Sequence, residues 1–519
     1  MTSSPRQEPA ALLPEDPLAA LDRRQRIAAC ILVMPGIGAD GLPDAATAAA
    51  VRAGVGALHS IVGMPASAAA RYHAEVRRIA AEAGVPAPLI AGNLEAGIGY
   101  SLGRTGTDLP YPRGVGVAAD PELAYRTALL AGREARAVGF EWTLSPTIDV
   151  LTTDQDPILG VRAFGVDAAT TAELGAAQVR GFRDGGVVST AKHFPGHGDS
   201  AVDSHLGLPV IDRDLETHEQ VHLRPFVAAI AAGVQTIMVA HVVLPALGVD
   251  EPASLSATVN RVWLREQLGF EGVIITDSLR MAAVSARWSS AESTVLALAS
   301  GADVANVKCE ASELPQLIEA VAAAVDDGRV DPAELDRSVL RLFRLRAEIA
   351  SFGAQLPAPD ELDTALRWDD PDRAATVDVA GPLSALDGLT VVGDSEFAGR
   401  LTAAAAARGL DVGHVAEPAT AATLERLADA AAGTLLPVIV PSIALSDEDR
   451  AQIAEVVAAS VSPQVAAVVV NGVMAAASLA ADDAAVIVAP AVDAFGICTE
   501  ATVDAVLDRL LSAGGGTSR

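Results

Sequence analysis

The chain has 519 residues, half of them hydrophobic, and a formal net charge of −29. That length allows two or three domains, each with its own core. The acidic balance argues against a nucleic-acid partner, and no apolar run reaches the roughly 18 residues that a membrane span needs.

The first 26 residues, MTSSPRQEPAALLPEDPLAALDRRQR, lack a basic start followed by an apolar stretch, so a flexible lead is expected over 1–26 and not a secretory signal. Cys30, Cys309 and Cys498 are isolated and odd in number, which fits a reducing cytoplasm, the expected location. From 27 to 350, short apolar runs alternate with helical stretches: ACILVMPG, GALHSIVG, PLIAGNLEAG, EWTLSPTIDV, VVSTAKHFPG, QTIMVAHVVLP, GVIITDSL and ADVANV. One helix is expected to start at Asp120-Pro121 and stop before Gly139, with a stripe of Ala124, Ala128, Ala131, Ala135 and Val138. Continuous apolar strands separated by helices mean parallel β-structure, and eight in succession predict a (β/α)8 TIM-type barrel. The C-terminal strand ends of such a barrel carry its chemistry, which selects Asn93, Glu95, Asp149, Lys192, His193, His241 and Asp277. An open doubly wound sheet would scatter these side chains over two faces. Residues 351–388, rich in proline and aspartate, read as a linker. Four further runs between 389 and 513 predict a smaller α/β sandwich domain, followed by a disordered tail at 514–519. Its first turn lacks G-x-G-x-x-G, so no dinucleotide is assigned.

Polar chemistry concentrates in KHFPGHGDSAVDSH, residues 192–205. Lys192 and Lys308 are the chain's only lysines, and the placement of Lys192 beside His193 hints at a need for a compact ammonium. His193, His197, Asp203 and His205 could hold a metal, but Pro195, Gly196 and Gly198 remove the helical spacing that would favour it. Asp203 stands two residues from His205, and a carboxylate so placed can orient an imidazole and favour its protonated form, as a general acid requires. No G-x-S-x-G elbow supports a serine hydrolase. Asp277 ends a strongly apolar strand and is either a helix N-cap or a site carboxylate. Arg162 is either a surface ion-pair partner or, among Ile158, Leu159, Val161 and Phe164, a held guanidinium.

Four stretches, KHFPGHGDSAVDSHLGLP, IMVAHVVLPAL, PASLSATVNRVWLREQLGFEGVIITDSLRM and DPILGVRAFG, together resemble glycoside hydrolase family 3, specifically its β-N-acetylglucosaminidases. The resemblance covers about 27–350. It implies Asp277 as nucleophile, His205 as general acid/base and Asp203 as its partner. Lys192, His193 and Arg162 then hold sugar hydroxyls, and Asn93, Glu95, His241 and Met281 complete the expected substrate-binding set. Asn93 stands where many members carry aspartate, and the arginine that usually follows has no clear equivalent in GIGYSLGR. The resulting expectation is a cofactor-free, metal-free, retaining exo-β-N-acetylhexosaminidase acting on a small carbohydrate or muropeptide-like substrate. Its rivals are a glycoside phosphorylase, a family 3 glycosidase for another sugar, a metal-dependent hydrolase and a binding-only protein.

Overall fold

The structure, a computed structural model, describes residues 16–103, 105–153, 156, 158–200, 207–380, 389–428, 434–439, 447–459, 468–470, 486–490 and 499–513. Asp203 and His205 therefore lie outside the described residues, as do Cys498 and the tail.

Eight parallel strands build the first domain: β1 (Ile31–Met34), β2 (Ala57–His59), β3 (Leu89–Gly92), β4 (Trp142–Thr143), β5 (Thr190–Phe194), β6 (Thr236–Val239), β7 (Val273–Thr276) and β8 (Ala305–Glu310). They pair as β4-β3-β2-β1-β8 and as β5-β6-β7. Parallel bridges Trp142↔Val188 and Thr147↔Lys192 join β4 to β5, and Ile275↔Val304 joins β7 to β8. Backbone bonds cross both seams, Thr143 N–H to Val188 O at 2.8 Å and Thr276 N–H to Val304 O at 3.2 Å. The strands thus follow one another around a ring in chain order. They are almost wholly buried because helices cover their outer face, which is why each reads as a continuous apolar run.

The helix Pro121–Val138 has the expected ends: Asp120 caps it by accepting from the Glu122 N–H, and Gly139 stops it in the left-handed region. Its small-residue stripe is buried, and it packs closely on the next helix, Ala168–Asp184. A Cβ at Gly181 would lie 2.4 Å from the Tyr125 carbonyl, so only glycine permits that approach.

Two expectations need correction. The lead ends earlier than 26, because Asp22 caps a helix over Arg23–Ala29 whose Arg26 pairs with Asp336. The stretch 351–388 is, over its described residues, no free linker. Ala365–Leu366 pairs with Gly106–Thr107, Ser67 donates to Asp363, Arg126 holds Asp370 and Asp372, and Trp368 is buried.

The second domain is a six-stranded sheet of β9 (Asp378–Ala380), β10 (Leu389–Val392), β11 (Val412–Val415), β12 (Thr434–Ile439), β13 (Val468–Val470) and β14 (Val486–Val488). Its order is β9-β14-β13-β12-β10-β11, with β9 antiparallel. Alternate residues of β12 feed two cores. Leu436 and Val438 meet Phe397, Leu401, Val506 and Leu510, while Leu435 and Ile439 meet Leu424, Ile453 and Val456. Helices on both faces of the sheet make a three-layer α/β sandwich.

Candidate active site

The polar residues selected at the strand ends converge at one mouth of the barrel. Glu95, just beyond β3, has no exposed side-chain surface. Its Oε1 accepts from Lys192 Nζ at 2.7 Å and from an Arg162 guanidinium N–H at 2.9 Å, and its Oε2 accepts from Ser145 Oγ at 3.2 Å. Burial alone would raise its pKa; Lys192 and Arg162 override this and bring it to about 2. Two buried cations are thereby held by one carboxylate. Lys192 Nζ also donates to Asn93 Oδ1 at 3.4 Å, so the asparagine joins the group from the end of β3.

Asp149 performs the matching task beside β5. Its Oδ2 accepts from His193 Nδ1 at 2.8 Å and from the His193 backbone N–H at 3.0 Å, and its Oδ1 accepts from the His197 N–H at 2.7 Å. The proton on Nδ1 leaves His193 Nε2 as the free end of the ring. Burial lowers the His193 pKa and Asp149 opposes it.

Asp277 follows β7 directly, half-buried, with its N–H on the Val239 carbonyl. The helix Ala282–Ser285 has Met281, not Asp277, at its N-cap, which decides against the capping role. Instead Oδ1 accepts from the adjacent Ser278 N–H at 2.7 Å. Burial pushes its pKa up, but His193, His241, the Ser278 N–H and Lys308 hold it well below the usual carboxylate range. Asp277 is an anion at any physiological pH.

His241 corrects an expectation. Both ring nitrogens are taken, Nδ1 by Ser254 Oγ at 2.6 Å and Nε2 by the Ser278 carbonyl at 2.8 Å, and the residue is wholly buried. It supports the backbone at Asp277 and has no nitrogen left for a sugar. Glu95 likewise organises cations, with three bonds to its carboxylate and no exposed side-chain surface. Met281 is buried, and its N–H returns to the Ser278 carbonyl. Sequence reasoning passed over His59, at the end of β2, although the strand-end rule covers it. Lys308 was noticed only as a rare residue type. Among the described residues no cluster of three His, Cys, Asp or Glu side chains has metal-binding geometry.

A barrel with a buried carboxylate and cation cluster at the C-terminal ends of its strands and an ionised aspartate after β7 has the layout of a barrel enzyme, and comparison with known proteins identifies its family. The model of the glycosyl hydrolase family 3 N-terminal domain matches residues 51–345. A β-hexosaminidase of Xylella fastidiosa (strain 9a5c) is 40% identical over 233 residues, covering 44% of this chain and 67% of its own. β-Hexosaminidase A of Pseudoalteromonas piscicida is 32% identical over 251 residues, 45% of this chain, and the match spans only 42% of that relative's length. The solved structure of a family 3 β-N-acetylglucosaminidase from Paenibacillus sp. str. FPU-7 superposes with a TM-score of 0.80 at 26% identity, over 95% of this chain and 97% of that one. The chain belongs to glycosyl hydrolase family 3.

Proposed function

We propose that this protein is a retaining exo-glycosidase that removes terminal β-linked N-acetylglucosamine-type sugars, with Asp277 as nucleophile. The observation that carries the reading is the state of Asp277: half-buried, ionised and sharing one barrel mouth with Lys192, Arg162 and His193. In this reading its carboxylate attacks the anomeric carbon to form a glycosyl ester while the leaving oxygen takes a proton. Lys192 and Arg162, kept oriented by Glu95, bind sugar hydroxyls with His193, and Asn93 adds an uncharged donor and acceptor. The acid/base role belongs to His205, supported by Asp203, on the strength of the DSH motif. The imidazolium protonates the leaving oxygen, and the neutral ring then draws a proton from the water that releases the sugar. The relatives' printed activities support the hexosamine class. A muropeptide-like substrate and cytoplasmic residence belong to the same proposal, the latter resting on cysteine usage and testable by cell fractionation.

Asp277→Asn should lower turnover by roughly 10⁴-fold or more without unfolding the protein, since the amide keeps the shape but forms no ester. Wild type incubated with a slow 5-fluoro glycoside should gain one sugar mass on the peptide containing Asp277. A label on another residue sinks the assignment, and rates that depend on added phosphate would replace hydrolysis by phosphorolysis.

A further inference from the structure

β8 departs from regular pairing at the mouth. Leu32 of β1 pairs with Asn306 and Met34 with Glu310, so residues 307–309 occupy the length that Val33 alone fills. In the middle of this bulge Lys308 holds φ +50, a left-handed conformation that favours glycine. Bulges beside active sites re-aim side chains. The Lys308 side chain acts electrostatically on Asp277, Glu95, Arg162 and His59, groups drawn from β7, β3, β2 and the Arg162 turn. Only a side chain aimed into the mouth lies near all four. The residue is half-buried, and its ammonium makes no hydrogen bond or ion pair among the described residues, whereas Lys192 gives two of its three N–H donors to Glu95 and Asn93.

One strand beyond β1 stands His59. Its Nδ1 lies 3.2 Å from both the carbonyl and the hydroxyl of Ser60; the carbonyl can only accept and the hydroxyl can do either, so the tautomer protonated on Nδ1 satisfies both contacts. Burial, aided by Lys308, pulls its pKa down to about 3, so the ring is neutral and Nε2 is an acceptor. That nitrogen is buried without a partner among the described residues, and so is Oδ1 of Asn306, two residues before Lys308.

We propose that Lys308 and His59 form a second sugar-binding wall of the mouth: the Lys308 ammonium donates to a hydroxyl of the terminal sugar held against Asp277, and that hydroxyl or its neighbour donates to His59 Nε2. A donor set among acceptors matches hydroxyl groups, which do both. A phosphate or carboxylate would face the lone pair of His59 Nε2 as well as the charge of Asp277. This inference rests on the glycosidase reading and adds to it a residue that selects the sugar.

The test is calorimetric binding of N-acetylglucosamine, glucose and their 3-, 4- and 6-deoxy forms to wild type, K308M, K308G and H59F. Removing a hydrogen bond to a charged group should weaken the parent sugar about 10- to 100-fold in both Lys308 variants. One deoxy sugar, already weak on wild type, should bind the Lys308 variants no more than about twofold worse, because the lost partners are the same pair. H59F should show this non-additivity for the same or the adjacent hydroxyl. K308G should melt no lower than wild type, since glycine accepts the positive φ, which separates binding from backbone support. Equal weakening of every sugar, no weakening at all, or a wild type that binds none of them would overturn the proposal. Sugars bound in the expected pattern with no β-glycoside cleaved would instead overturn the glycosidase reading and leave the wall standing.

Discussion

At the scale of single residues the site is organised by two buried carboxylates, Glu95 and Asp149. Glu95 neutralises Lys192 and Arg162 in a place with no solvent, and removing one partner from a buried ion cluster costs about 3–5 kcal/mol because the others stay buried uncompensated. Glu95→Gln should therefore destabilise the protein by about that amount near neutral pH and weaken sugar binding. Glu95 ionises more readily in the folded chain, near pH 2, than at its ordinary 4.5. Its stabilisation is complete above about pH 4.5 and is lost as pH falls towards 2. The stability gap between wild type and Glu95→Gln should close over that window in denaturant titrations; a gap independent of pH would show that charge is not what Glu95 contributes. The placement of Lys192 and Asp277 at the barrel mouth is legible in sequence because each stands at the end of an apolar run, and Arg162 sits in a distinctive motif. The role of His241 is not, since an imidazole at a strand end looks the same whether its nitrogens face a sugar or, as here, Ser254 and the Ser278 carbonyl. Lys308 escaped because its place depends on a bulge, and no residue pattern in ADVANVKCE marks one.

At the scale of elements, strands surrounded by helices are easy to read and strands at an edge are not. All eight barrel runs fold as expected because burial on both faces demands unbroken apolar sequence. β11, VGHV, is partly or largely exposed along its length, and β9 lies within an aspartate-rich stretch, so neither carries the pattern that burial imposes. The loop after β5 shows how an element prepares for chemistry beyond itself. Arg213, almost wholly buried, donates to the carbonyls of Pro195 and Gly196 and to both oxygens of Asp199. Gly198 sits so close to Val150 that a Cβ would come within 2.1 Å of its carbonyl oxygen. The stem leading to Asp203 and His205 is thus clamped. Arg213→Ala should cost on the order of 3 kcal/mol by stranding Asp199 and releasing the stem. It should also slow glycosides with poor leaving groups by about 10²-fold, the scale of a small misplacement, and activated aryl glycosides much less. If all leaving groups slow alike, the clamp serves stability and has no part in positioning the acid.

At the scale of the whole molecule, the segment between the domains decides whether they melt together. Several ion pairs tie it down: Arg126 to Asp370 and Asp372 on the barrel side, and Arg367 to Asp504 and Arg373 to Asp508 on the last helix, Glu500–Ala513. Most of these side chains are partly exposed, and such pairs contribute at most about 1 kcal/mol each. Trp368 is a different kind of contact. It is buried in the same apolar cluster as the barrel core, and Ala501 of the last helix joins that cluster too. Truncating a buried tryptophan costs about 3–5 kcal/mol, which exceeds any single ion pair along the segment. Wild type should therefore unfold in one calorimetric transition, with both domains coupled through Trp368. In Trp368→Ala the trace should separate into two transitions, because an interface made mainly of partly exposed charges no longer transmits the melting of one domain to the other. Arg126→Ala, which removes two ion pairs and leaves the apolar contact, should keep a single transition. Two transitions already present in wild type, or separation by Arg126→Ala but not by Trp368→Ala, would show that charge and not apolar burial joins the domains.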